Sequence, residues 1–84
     1  MADGEPGVGE PSVGEEPGVG LIANGRPHRA PAGTTVEAFV RSLGLDPRFV
    51  VVERNGEPLA RERYGEVVLE DGDRLELVRA VAGG

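Results

Sequence analysis

The alternation of apolar and small or polar positions first becomes regular at residue 19. Val19, Leu21 and Ala23 there alternate with Gly20 and Ile22 before Asn24-Gly25. Period-two alternation closed by Asn-Gly predicts a strand and a hairpin turn. The return strand, Arg26 to Ala30, reads as weak: Pro27 cannot donate to a ladder, which points to an edge position or a short pairing. The period then changes. Val36, Phe39, Val40 and Leu43 are spaced i, i+3, i+4 and i+7, the apolar stripe of a helix of two to three turns. Thr34 or Thr35 is placed to cap its N-terminus, Glu37 suits the first-turn dipole, Gly44 is the expected positive-φ stop, and Pro47 forbids continuation.

Phe49 to Glu53 is apolar on both faces, the mark of a central strand, and it ends at a second turn dipeptide, Asn55-Gly56. If Val50 and Val52 face the helix, Val51 lies on the open side of the sheet, where Val78 joins it as a docking surface. Residues 57 to 65 read as a polar, irregular loop with the Tyr64 ring at the domain margin, and Val67 to Leu69 as a short strand. After Asp71-Gly72, a positive-φ turn, Leu75 and Leu77 fall on one strand face and Arg74, Glu76 and Val78 on the other. From about residue 80 the pattern decays into a tail, Ala80, Val81, Ala82, Gly83 and Gly84, whose terminal carboxylate is expected to be unhindered. One helix following a hairpin must cover one face of a mixed sheet. The helix leading into the third strand is expected to supply the crossover that makes strands parallel. The fold class is therefore α+β in two layers, a mixed four- or five-stranded sheet on one main helix.

Composition narrows the chemistry. With 84 residues there is room for one small domain, and without cysteine no side chain can carry a disulfide, a thiolate metal ligand or a persulfide. Residues 1–18 repeat a Gly-Glu-Pro unit whose Pro, Gly and isolated Val residues cannot bury enough surface to offset ordering entropy. They are expected to form a disordered acidic extension ahead of a domain at 19–84. Asp3, Glu5, Glu10, Glu15 and Glu16 give that extension five negative charges, whereas the remainder has ten acids against nine bases. A nearly neutral domain with an acidic extension excludes nucleic acid as the principal partner. The acidic N-terminus and the short apolar runs predict no targeting signal and no membrane association, hence a soluble cytoplasmic protein. All nine basic residues are Arg, which biased composition explains. His28 stands among arginines as a solvated edge histidine, and Ser12 and Ser42 have no triad partners, so no catalytic constellation is present and the chain is not read as an enzyme.

Taken together, Asn24-Gly25, Gly33-Thr-Thr-Val36, Val50-Val-Val-Glu-Arg-Asn-Gly56, Leu69-Glu-Asp-Gly-Asp-Arg-Leu-Glu-Leu-Val78 and Ala82-Gly-Gly84 resemble the ThiS family, the ubiquitin-like β-grasp sulfur carriers of thiamine biosynthesis. The resemblance covers residues 19 to 84; the acidic extension has no counterpart in it, and Tyr64 stands where the family often has Trp. It implies that Gly84 is the modified residue, with Gly83 and Ala82 as the slender neck that threads into another protein's active site. It implies a ThiF-like, E1-like adenylyltransferase using ATP and Mg, a cysteine desulfurase relay supplying sulfur, and a ThiG-like thiazole synthase accepting it. It implies too that the chain itself binds no cofactor and acts as co-substrate. The small subunit of molybdopterin synthase shares fold and diglycine end, but a Phe-Pro-Pro-like stretch typical of it is replaced here by Arg79-Ala80-Val81. Other ubiquitin-like sulfur carriers, and a β-grasp interaction module with a passive tail, also fit this end.

Overall fold

A computed structural model of the protein describes residues 17–80. Most of the acidic extension, and Ala82, Gly83 and Gly84 with it, lie outside the described residues. Strand β1 (Gly18–Ala23) turns at Asn24-Gly25 into β2 (Arg26–Pro31), and helix α1 (Val36–Ser42) follows. Then come β3 (Val50–Arg54), β4 (Glu57–Leu59) and β5 (Arg74–Arg79). They form one five-stranded sheet in the order β2-β1-β5-β3-β4. The last strand in sequence is thus the middle strand in space. β1 runs parallel to β5, while β3 is antiparallel to β5. The parallel pair therefore joins the two ends of the domain, not the two strands flanking the helix as the sequence reading expected. The crossover that spans β1 to β5 contains everything between them, long enough to carry α1 onto the sheet.

Helix α1 starts where Thr35, the second of the two candidate caps, accepts a hydrogen bond at its Oγ1 from the Ala38 N–H at 3.1 Å. Val36, Phe39 and Val40 are buried under it against Leu21, Val50, Val52, Leu75 and Leu77 of the sheet. Leu43 breaks the expected stripe. The helix tightens after Val40, whose carbonyl accepts from the Leu43 N–H, and Gly44 at φ 80° turns the chain away, leaving Leu43 at the C-cap and exposed.

Five further differences follow. Phe49 belongs to a 3₁₀ turn (Pro47–Phe49) capped by Asp46, so it precedes the strand; its exposed ring lies under the Arg48 guanidinium. Strand β2 is at the sheet edge as expected, yet pairs with β1 over all six residues, because Pro27 can direct its missing donor outward. His28 is half-buried on the edge strand, one side of its ring packing edge-on to Phe39 with centroids 5.4 Å apart. Residues 57 to 65 contain β4 and a 3₁₀ turn (Arg61–Arg63) that deliver Tyr64 into the core instead of leaving it at the margin. The Tyr64 hydroxyl donates to the Val50 carbonyl at 2.7 Å and accepts from the Val52 N–H at 3.2 Å. Val67 to Leu69 makes only a single bridge, Val68 to Thr35, although Val67 and Leu69 are buried.

Candidate functional site

The C-terminal segment is rooted in the central strand, and the sequence supplies three devices that fix the root. At its foot, Gly72 takes φ 90°, its N–H donates to the Gly20 carbonyl at 2.7 Å, and Asp71 Oδ1 accepts from the Gly20 N–H at 2.7 Å. Asp73 follows, buried, its carboxylate receiving Arg54, Asn55 and the Glu70 N–H. Burial pushes this carboxyl up, but the Glu70 backbone donor, then Asn55 and Arg54, outweigh it and hold it below the ordinary aspartate range.

The two Asn-Gly turns act on β5 from opposite sides. Asn24 and Asn55 both adopt positive φ, 51° and 53°. The Asn24 side chain closes a two-way pair with Leu77, accepting from its N–H at 2.8 Å and donating to its carbonyl at 3.2 Å. Asn55 accepts from the Arg74 N–H at 2.9 Å. Asn24 thus satisfies β5 main-chain groups beyond the end of β1, and Asn55 satisfies one beyond the end of β3. The final described bond runs from the Ala80 N–H to the Phe49 carbonyl at 2.7 Å. Residues 81–84 leave from that fixed point, and the sequence-predicted modification site lies among them.

The sheet face away from α1 carries the predicted docking pair. Val51 and Val78 are cross-strand partners, 47% and 59% exposed, so their side chains form one apolar patch beside the root of the tail. Two register positions away, on the same face, Glu53 is opposite Glu76. Like charges directly opposite are unfavourable in a free sheet, and a cationic partner would relieve them. The sequence reading missed this acidic pair, although it follows by parity once Val51 is set against Val78.

The opposite face has a cleft of about 290 Å³ beneath the end of α1, bordered by Arg26, His28 and Arg79 over an apolar floor. Among the described residues no group of three His, Cys, Asp or Glu side chains could hold a metal ion, and no described helix is long and apolar enough to cross a membrane. Ser42 is occupied by the Phe39 carbonyl at 2.6 Å, and His28 by the Phe39 ring.

The sequence model of the ThiS family matches residues 21–84, from the middle of β1 to the last glycine. The chain belongs to the ThiS family. The ThiS-family chain is 44% identical over 50 residues to the sulfur carrier protein ThiS of Bacillus subtilis, covering 60% of this chain and 76% of that one. It is 48% identical over 61 residues to a thiazole synthase of Magnetococcus marinus, covering 73% of this chain and 19% of that protein. A thiazole synthase of Paramagnetospirillum magneticum is 44% identical over 64 residues. The chain spans about a fifth of the length of these two synthases. The crystal structure of the thiamine biosynthesis protein ThiS from Geobacter metallireducens superposes with a TM-score of 0.66 at 30% identity, over 79% of this chain and all of that one. The ubiquitin-like fold expected from the resemblance is therefore the fold of this ThiS-family domain.

Proposed function

We propose that this chain is a sulfur carrier of thiamine biosynthesis, loaded at the Gly84 carboxylate. The supporting observation is that the family match runs through the diglycine end. An unactivated carboxylate is a poor electrophile, so loading needs a leaving group. A ThiF-like adenylyltransferase using ATP and Mg transfers AMP to the carboxylate and releases pyrophosphate. The terminal sulfur of a persulfide, supplied by a cysteine desulfurase relay, then attacks the acyl carbon and expels AMP. A thiol cleaves the resulting S–S bond and leaves the thiocarboxylate on Gly84. The chain has no cysteine, so both thiols belong to partners.

The chain's own contribution is presentation. Gly83 and Ala82 form a neck narrow enough for a confined channel, β5 supplies its rigid base, and the Val51–Val78 patch with the Glu53–Glu76 pair is the surface that the activating enzyme grips. Thiazole synthase is the proposed acceptor, a reading supported by the likeness to a segment of two proteins of that name. The reading places the carrier in the cytoplasm as a co-substrate.

Mass spectrometry of the chain after incubation with the adenylyltransferase, ATP, Mg, desulfurase and cysteine tests this directly. One oxygen is expected to be replaced by sulfur at Gly84. Removal of Gly83 and Gly84 is expected to abolish loading while the domain stays folded. A truncated chain that still supports thiazole formation would overturn the proposal and leave a β-grasp binding module.

A further inference from the structure

The cleft under the end of α1 is not used by the proposed function, and we propose that the acidic segment preceding β1 binds in it. Arg26 and His28, two apart on β2, share the helix-side face of the sheet, and Arg79 reaches the same cleft from the end of β5. Leu43 and Leu77 give it an apolar floor, and no carboxylate lines it. Among the described residues neither Arg26 nor Arg79 has a carboxylate partner, whereas Arg41, Arg48, Arg54 and Arg63 each do. A cationic rim without an internal counter-charge suits an acidic segment with small apolar residues. Residues 1–16 supply five carboxylates, no base, and Val8 and Val13.

Chain geometry selects which carboxylates can arrive. The Ala32 N–H donates to the Pro17 carbonyl at 3.0 Å, so the segment starts beside the Pro31 end of β2. Arg26 lies at the other end of that strand, roughly 17 Å away at about 3.3 Å per residue. Glu15 and Glu16 reach at most about 7 Å from Pro17, too short for the cleft, while Glu10 reaches about 24 Å. Glu10, Glu5 and Asp3 are therefore the groups that meet Arg26, His28 and Arg79. Tethering holds them at an effective concentration of order millimolar, so individually weak, salt-screened pairs suffice. Because Arg79 stands one residue before the last anchored position, an occupied cleft sets the acidic segment against the root of the tail. There it competes with any partner gripping that root.

The proposal is independent of what happens at Gly84, and its test uses the full chain. The natural sequence has no cysteine, so Val8→Cys gives a single site for a nitroxide label. At low salt the amide NMR signals of Arg26, His28 and Arg79 are expected to lose most of their intensity. They should recover at about 0.5 M NaCl, where charges are screened within a few ångströms, and in the labelled chain carrying Asp3→Gln, Glu5→Gln and Glu10→Gln. Signals near Pro17 and Ala32 should stay broadened throughout. Cleft signals untouched at low salt, or broadening indifferent to the glutamine changes, would overturn the proposal. So would broadening that passes to a second, unlabelled copy mixed in, which places the contact between chains. Cleft signals that respond to deletion of Gly83 and Gly84 but not to the glutamine changes would assign the cleft to the chain's other end and equally overturn it.

Discussion

Arg54 and Asp73 form a forked pair, Nε to Oδ2 at 3.0 Å and Nη2 to Oδ1 at 3.3 Å, at the foot of the strand that leads to the C-terminal segment. The Asp73 side chain is 5% exposed and that of Arg54 26%, so the pair is largely removed from water. Asn55 and the Glu70 N–H donate to the same carboxylate. One aspartate thereby ties β3, the second Asn-Gly turn and the start of β5 together.

Replacing Asp73 with Asn keeps the shape but leaves Arg54 only the longer, exposed contact with Glu70 at 3.7 Å as a counter-charge. Urea unfolding at neutral pH should show a loss of about 3 kcal/mol, at the low end for breaking a buried pair because Arg54 keeps some solvent. The pH dependence has a definite sign. Asp73 is held below its ordinary range when folded, so its stabilisation is complete above the unfolded aspartate pKa of about 3.9 and is lost as pH falls through the lower folded value. The variant should therefore lose less stability on acidification than the natural chain. Equal acid losses in both would show that the carboxylate is not the group responsible.

Tyr64→Phe should cost about 1–3 kcal/mol, since it removes only the hydroxyl yet strands the Val50 carbonyl and Val52 N–H in the core. Thermal unfolding followed by circular dichroism would measure it. A neutral substitution would mean that the ring alone matters.

Asn24→Gly separates two functions of one residue. Glycine tolerates the φ of 51°, so the turn survives, but both bonds to Leu77 disappear. Global stability should fall by about 1 kcal/mol, while the Leu77 amide should exchange with solvent markedly faster than its β5 neighbour Leu75. Uniform acceleration along β5 would instead indicate general loosening.

How much of this was legible in the chain depended on range. Period and turn chemistry act locally, so β1, α1, the Val50/Val52 face and both Asn-Gly turns could be read from consecutive residues. What failed was set by distant partners. Tyr64 looks like a loop residue until its hydroxyl is seen bonding fourteen and twelve positions upstream, and Asp73 looks like turn polarity until Arg54 reaches it. The Val51–Val78 pair was legible because β5 alternates cleanly and Val51 follows by parity once Val50 and Val52 face the helix. The Arg26, His28 and Arg79 cleft was not, because it needs the order β2-β1-β5, which no local pattern encodes.

The docking face yields the prediction closest to function. Val51→Thr and Val78→Thr keep β-branching, so stability should stay within about 0.5 kcal/mol of the natural chain, as for exposed positions generally. Each removes an apolar contact that an activating enzyme would bury, weakening recognition by about 1 kcal/mol, or roughly fivefold, with the double variant near twenty- to thirtyfold. The loss should appear in kcat/KM for adenylation of the carrier, as a rise in KM with kcat preserved, because under the proposed function the patch serves recognition and contributes no group to the reaction. Val68 is similarly exposed, at 46%, but sits on the bridge to Thr35 at the helix start. Val68→Thr should leave adenylation unchanged. If it lowers kcat/KM as much as the other two, the effect belongs to general surface polarity, and the open face of the sheet is not where the enzyme binds.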